Sequence, residues 1–144
     1  MREGLYYYKP ELPAVLGIEG AGIIEELGPG VNDFKVGETV SYRFSLGSYS
    51  EKRVIDTHHL QKLPNEIDFA VAATLMTKGL TTYYLLYKTY PVSANETILF
   101  HAAAGGLGQI FCQWAKSLGC KVIGTVGSEE KIKIAKKNLT LIHI

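Results

Sequence analysis

Cysteine is almost missing from this chain, with two residues, Cys112 and Cys120, among 144. So small a supply excludes a disulfide framework and a cysteine-built zinc lobe. The pair reads as free, buried thiols in a reducing compartment. An excess of either charge is also missing. Fifteen Lys and Arg stand against fourteen Asp and Glu, and with a pI near 7.7 there is no electrostatic case for nucleic acid. No apolar run is long enough to span a bilayer, and the N-terminus lacks the apolar core of a signal peptide. The expectation is a cytoplasmic protein with no membrane partner. Repeats and low-complexity tracts are absent too. Histidine is sparse. His58 and His59 fall in a polar loop, where solvation is expected, and His101 ends a strand, where packing is a better reading than acid catalysis.

What the chain does have is glycine, fifteen residues of it, placed at turns. The most informative stretch covers residues 95–116, NETILFHAAAGGLGQIFCQWAK. Thr97, Ile98, Leu99 and Phe100 make a β-branched and aromatic run suited to a parallel strand covered on both faces. The turn from Ala102 to Gly108 follows at once. Beyond it, Leu107, Ile110, Phe111, Trp114, Ala115 and Leu118 recur at helical spacing along one face. Lys116 and Gly119 both favour a helix end there. A strand feeding a helix through small residues leaves the helix's first N–H groups free, which is a ready-made phosphate site. Ala103, Gly105 and Gly108 take the three glycine positions of G-x-G-x-x-G. Gly105 would let a pyrophosphate approach the backbone, and Gly108 would let the helix pack on the strand. An ordinary tight turn would carry the same glycines. A second apolar strand at residues 121–125 completes a βαβ unit.

Asn95-Glu96, Leu99, Ala103-Ala104-Gly105-Gly106, Gly108, Gln113 and Lys116 together resemble the signature of the quinone oxidoreductase and zeta-crystallin family. That family sits in the zinc-free branch of the medium-chain dehydrogenase/reductase superfamily. An upstream segment agrees: Pro13, Gly17, Glu19 and Gly22 resemble the superfamily's P-x-x-x-G-x-E-x-x-G pattern. By its residues this region reads as short strands at 22–27, 39–44 and 48–55 separated by turns, a small β-barrel-like domain. The resemblance names it a GroES-like domain. Zinc-dependent relatives carry a histidine ligand before the glutamate, where this chain has Ile18, so no metal site is expected. Tyr6, Tyr7 and Tyr8 read as a loop packing against the barrel.

The resemblance implies NADPH as cofactor. NAD-specific sites place an acid at the end of the second strand. Here that strand runs into Gly124-Thr125-Val126-Gly127-Ser128. Ser128 and Lys131 could hold a 2′-phosphate by hydroxyl and by charge, while Ser128 could also cap the following helix. The resemblance carries over Gly106, Leu107 and Gly127 as further NADPH contacts, and puts Thr81 and Tyr84 near the nicotinamide end. Residues 69–76 and 78–86 read as two successive helices, with Tyr83 and Tyr87 expected in packing.

The expected fold is α/β: a partial GroES-like β domain over residues 1–76, then the first half of a Rossmann dinucleotide-binding domain over 77–144. Residues 139–144 depart from the family's usual continuation, so a truncated or frameshifted gene product is one expectation. The activity implied is zinc-independent, NADPH-dependent reduction of quinones or conjugated enones, with no acid or base assigned. The alternative is a truncated, inactive remnant that at most binds nucleotide or a partner chain. The family tends to form homodimers.

Overall fold

A computed structural model describes residues 9–138 of the chain. The readings made for residues 6–8 and 139–144 lie outside that range. The chain divides into two compact units between Met76 and Thr77.

In the first unit, three antiparallel strands form one sheet in the order β1-β2-β3: β1 (Glu19–Ile23), β2 (Thr39–Arg43) and β3 (Leu60–Lys62). β1 starts earlier than the expected 22–27 because Gly20 faces Tyr42 in the register. A methyl group on Gly20 would stand 2.5 Å from the Tyr42 hydroxyl, so glycine is what lets the ring lie across the sheet. Beyond Ile23 the hairpin closes through Ile24 N–H to Glu38 O and Gly37 N–H to Ile24 O. Gly37 meets that turn at φ +89°, a conformation glycine adopts without a steric penalty. β2 stops at Arg43, one residue short of expectation, since Phe44 takes φ +59° and leaves the ladder.

Residues 48–55 are not a strand. Arg53 bends them into a loop. Its guanidinium donates to Ser45 O at 3.0 Å, Ser45 Oγ at 2.7 Å and Leu46 O at 2.9 Å, and lies 4.8 Å over the Tyr42 ring. A planar donor fork of this kind satisfies several acceptors at once. The loop's backbone then bonds outward to residues 16 and 17 instead of to a strand: Gly47 and Ser48 donate to Gly17 O, and Tyr49 to Leu16 O. Where a third strand does form, at β3, Lys62 bonds Glu38 at 2.9 Å. That bond, chiefly, holds the Glu38 carboxyl below its ordinary pKa.

A single helix, α1 (Phe69–Tyr84), replaces the two expected, and a π-helical turn (Leu85–Thr89) continues it. Asp68 starts it, its carboxylate accepting from the N–H groups of Ala70 (2.8 Å) and Val71 (3.3 Å). A lone glycine inside a helix costs about 1 kcal/mol, too little for Gly79 to break this one.

In the second unit, β4 (Thr97–Phe100) and β5 (Lys121–Gly124) pair in parallel, with Ile98 opposite Val122 and Phe100 opposite Gly124. Helix α2 (Gly106–Ser117) connects them and α3 (Glu129–Asn138) follows. Leu86, Ala103, Phe111, Cys112, Ala115, Cys120 and Val122 form the core. Phe111 stacks on Phe100 at 4.1 Å between ring centroids. Only one face of β4 is covered, contrary to expectation: Ile98 and Phe100 pack on the core, while Leu99 stays 55% exposed. Tyr83 and Tyr87 pack as a stacked pair against Trp114, yet both rings keep about two fifths of their surface open.

α2 ends as its sequence suggests. Gly119 adopts φ +83°, Cys120 N–H reaches back to Ala115 O, and Gly119 N–H to Lys116 O. These are the two bonds of a Schellman cap, and they return the chain directly into β5.

Candidate functional site

The C-terminal ends of β4 and β5 are tied together. Thr125 N–H donates to Phe100 O, Ala103 N–H donates to Thr125 O, both at 3.0 Å, and the His101 ring nitrogen meets the Thr125 hydroxyl at 3.0 Å. This is the end of a parallel sheet at which open α/β folds bind ligands. His101 is exposed rather than packed, and its ring is tied to the strand end by that contact.

The chain turns through Ala102 at φ +55° and enters α2 at Gly105, an N-cap whose position carries no side-chain cap bond. Gly105 N–H is spent inside the turn, on Ala102 O at 2.8 Å. The helical ladder starts with Gln109 N–H to Gly105 O. The N–H groups of Gly106, Leu107 and Gly108 therefore precede the ladder and point out of the helix end. With the helix dipole behind them, they favour an anion. Gln109 steadies the turn from its side chain, donating to Ala104 O at 3.1 Å.

Each small residue of the turn has a separate geometric reason. Gly108 is buried, and a methyl group there would stand 2.6 Å from both Ala102 O and Ala103 O, so the helix sits directly on the turn's carbonyls. Ala103 is fully buried in the core, where a methyl fits, and this explains alanine at the first position of the fingerprint. Gly105 is exposed, with room limited by Ala102 O at 3.1 Å. Leu107 is half-buried. Gly127 has nothing within 4 Å of where a side chain would start, so the backbone at the end of β5 is open to approach.

Ser128 immediately precedes α3, and its carbonyl accepts from Ile132 N–H at 3.3 Å. Lys131 lies exposed in the same helical turn. The turn at 103–108 and the 127–131 segment thus leave adjacent strand ends. Thr81 and Tyr84 are elsewhere, on α1. The Thr81 hydroxyl donates to its own helix, to Thr77 O at 2.7 Å, and the Tyr84 ring is 48% exposed.

One residue of α1 that reaches the glycine turn is Lys78, which the sequence does not single out. A methyl group on Gly106 would stand 3.0 Å from Lys78 Cε and 3.2 Å from Cδ, so the lysine stem crosses the space that glycine leaves empty. Nothing local in the sequence announces this contact, because the two residues meet only once α1 is docked. Cys112 and Cys120 are free and buried, and burial pushes the Cys112 thiol up to about 11, away from nucleophilic duty. Among the described residues, no group of three or more His, Cys, Asp or Glu could hold a metal.

The description "Alcohol dehydrogenase GroES-like domain" matches residues 1–65. The chain is 54% identical over 138 residues to a quinone oxidoreductase of Pseudomonas aeruginosa, an alignment covering 95% of the chain and 42% of that relative. It is 47% identical over 130 residues to a 2-haloacrylate reductase of a Burkholderia species, covering 88% of the chain and 39% of that relative. The crystal structure of Escherichia coli quinone oxidoreductase complexed with NADPH superposes with a TM-score of 0.91 at 48% identity, covering 96% of the chain and 43% of that protein. The chain spans about two fifths of the length of the curated relatives it matches.

Proposed function

We propose, for a chain that belongs to the quinone oxidoreductase family of the medium-chain dehydrogenase/reductase superfamily, that the β4–α2 turn holds the pyrophosphate of NADPH in service of quinone or enone reduction. The observation that carries this reading is the uncapped α2 N-terminus at the end of a parallel pair, with three outward N–H groups behind a floor of small residues. The residues fit the group: Gly105, the N-cap of α2, carries no side chain at the helix end, and Gly127 leaves the backbone bare at the neighbouring strand end. Ser128 and Lys131 supply a hydroxyl and a positive charge for the 2′-phosphate, which distinguishes NADPH from NADH. Thr81 and Tyr84 are assigned to the nicotinamide end by the family resemblance.

NADPH, when bound, supplies the reducing equivalents. The chain's part is to bind and orient it. Backbone N–H groups neutralise phosphate charge, and Gly127 admits close approach at the end of β5 without a side chain in the way. Ile18 stands where zinc-dependent relatives of the superfamily carry a histidine ligand, so carbonyl polarisation by zinc has no part in this reading. The buried free thiols Cys112 and Cys120 suit a reducing cytoplasm. No helix among the described residues is long and apolar enough to cross a membrane.

A second reading is nucleotide binding without turnover. Isothermal titration of the purified chain with NADPH and with NADH tests the site. Preference for NADPH is expected, and no binding of either by a folded sample would refute the reading. Steady NADPH oxidation in the presence of a quinone then separates turnover from binding alone.

A further inference from the structure

We propose that Thr125, fastened to His101 through its hydroxyl, is a positioning residue that sets the spacing between the two phosphate anchors of the dinucleotide site. The inference rests on the nucleotide reading above and adds to it the part that holds the anchors in register. Its ground is a three-point fastening where the chain leaves β4 and β5. Every polar group of Thr125 is engaged with residues at the end of β4. Its N–H donates to Phe100 O, its carbonyl accepts from Ala103 N–H, and its hydroxyl meets His101 Nδ1, each at 3.0 Å. The side-chain contact survives any protonation state of the ring, because a hydroxyl can donate or accept.

The fastening brackets a strained residue. Ala102, between His101 and Ala103, adopts φ +55°, a conformation that costs an L-residue free energy and persists only where its surroundings enforce it. Here a tie to Thr125 stands on each side of it. What the strain secures is the aim of the Ala102 carbonyl. That oxygen takes Gly105 N–H at 2.8 Å and lies 2.6 Å from where a methyl group on Gly108 would be, so it both closes the turn and seats α2. The N–H groups that would meet the pyrophosphate are therefore placed through Ala102. On the other side, Gly127 and Ser128 follow Thr125 by two and three residues. One residue thus governs where both anchors stand, the turn at 103–108 and the segment at 127–131. A ligand gripped at two points gains from the second only when the spacing of the points matches its own length. An ordinary strand-end hydrogen bond would support the fold alike for every ligand. A spacer matters to the ligand that bridges both anchors and not to one that touches a single anchor.

The test compares the whole chain with Thr125→Val, which keeps the β-branched shape but removes the hydroxyl, and Thr125→Ser, which keeps the hydroxyl. Each is titrated with NADPH, inorganic pyrophosphate and adenosine 2′-monophosphate, followed by NMR so that weak binding registers too. Thr125→Val is expected to bind NADPH roughly 3- to 10-fold more weakly, the ordinary worth of one hydrogen bond. Its affinity for the two single-anchor probes should be unchanged, and Thr125→Ser should bind NADPH within roughly twofold of the parent, since the bond is kept. His101→Phe should match Thr125→Val, and the double variant should lose no more than either one, as for two partners in a single contact. Unaltered NADPH affinity in Thr125→Val would overturn the proposal while leaving the dinucleotide site standing. Additive losses in the double variant would overturn it too, as would equal weakening of all three ligands, since Thr125 would then act on the fold. Failure of the parent chain to bind NADPH would remove the site and the proposal together. Should Thr125→Val not fold, His101→Phe carries the same comparison.

Discussion

Gly108 shows how a single position can be readable in sequence while its reason is not. The spacing of Ala103, Gly105 and Gly108 marks a fingerprint, and the third position is expected to let helix and strand approach. In the folded chain the approach is to two carbonyl oxygens of the turn, each 2.6 Å from where a methyl group would be. Backbone cannot rotate away as a side chain can. Gly108→Ala is expected to destabilise the protein by about 3 kcal/mol, the upper range for an overpacked core, measured by urea unfolding. A cost under about 0.5 kcal/mol, the range of neutral surface changes, would mean that α2 is not seated on the turn. Lys78 is the opposite case. It meets Gly106, 28 positions further along, and no local pattern encodes that contact. Arg53 was equally hidden. The stretch at 48–55 reads as a strand candidate, but one guanidinium bends it into a loop by taking Ser45 and Leu46 as partners.

Elements with strong local signals were read closely. β4 and β5 fall at or within one residue of their expected bounds, and α2 begins and ends beside its glycines. Both depend on chemistry written into neighbouring residues: β-branched runs, helical spacing and a left-handed cap. α1 is one helix where the sequence reads as two, because Gly79 and its polar neighbours look like a boundary. Tertiary packing outweighs so small a propensity cost. Its start at Phe69 agrees with the expected bound, and Asp68 is a cap by type. Asp68→Ala is expected to cost about 1 kcal/mol by freeing the Ala70 and Val71 N–H groups. Thermal unfolding followed by circular dichroism at 222 nm would register it, and an unchanged midpoint would show that neighbouring packing, not the cap, starts the helix.

At the scale of the molecule, the α/β character and the order of its parts follow from the glycine turns and apolar runs. Coverage does not. The run Thr97 to Phe100 suits burial on both faces, but sequence cannot name what would lie against the second one, and Leu99 stays largely open. Tyr83, Tyr84, Tyr87 and Tyr90 are likewise between 38% and 60% exposed. The units part between Met76 and Thr77, and that point lies at the midpoint of the 16-residue α1. The boundary found by packing is therefore the wrong place to cut a gene. A cut there splits α1, and the half left on the first product, residues 69–76, falls well below the ~12–15 residues at which isolated helices become even marginal in water. Residues 68–144, which keep Asp68 and the whole helix, should melt at a higher temperature than residues 77–144. Equal melting points would mean that the first half of α1 gives the second unit no support.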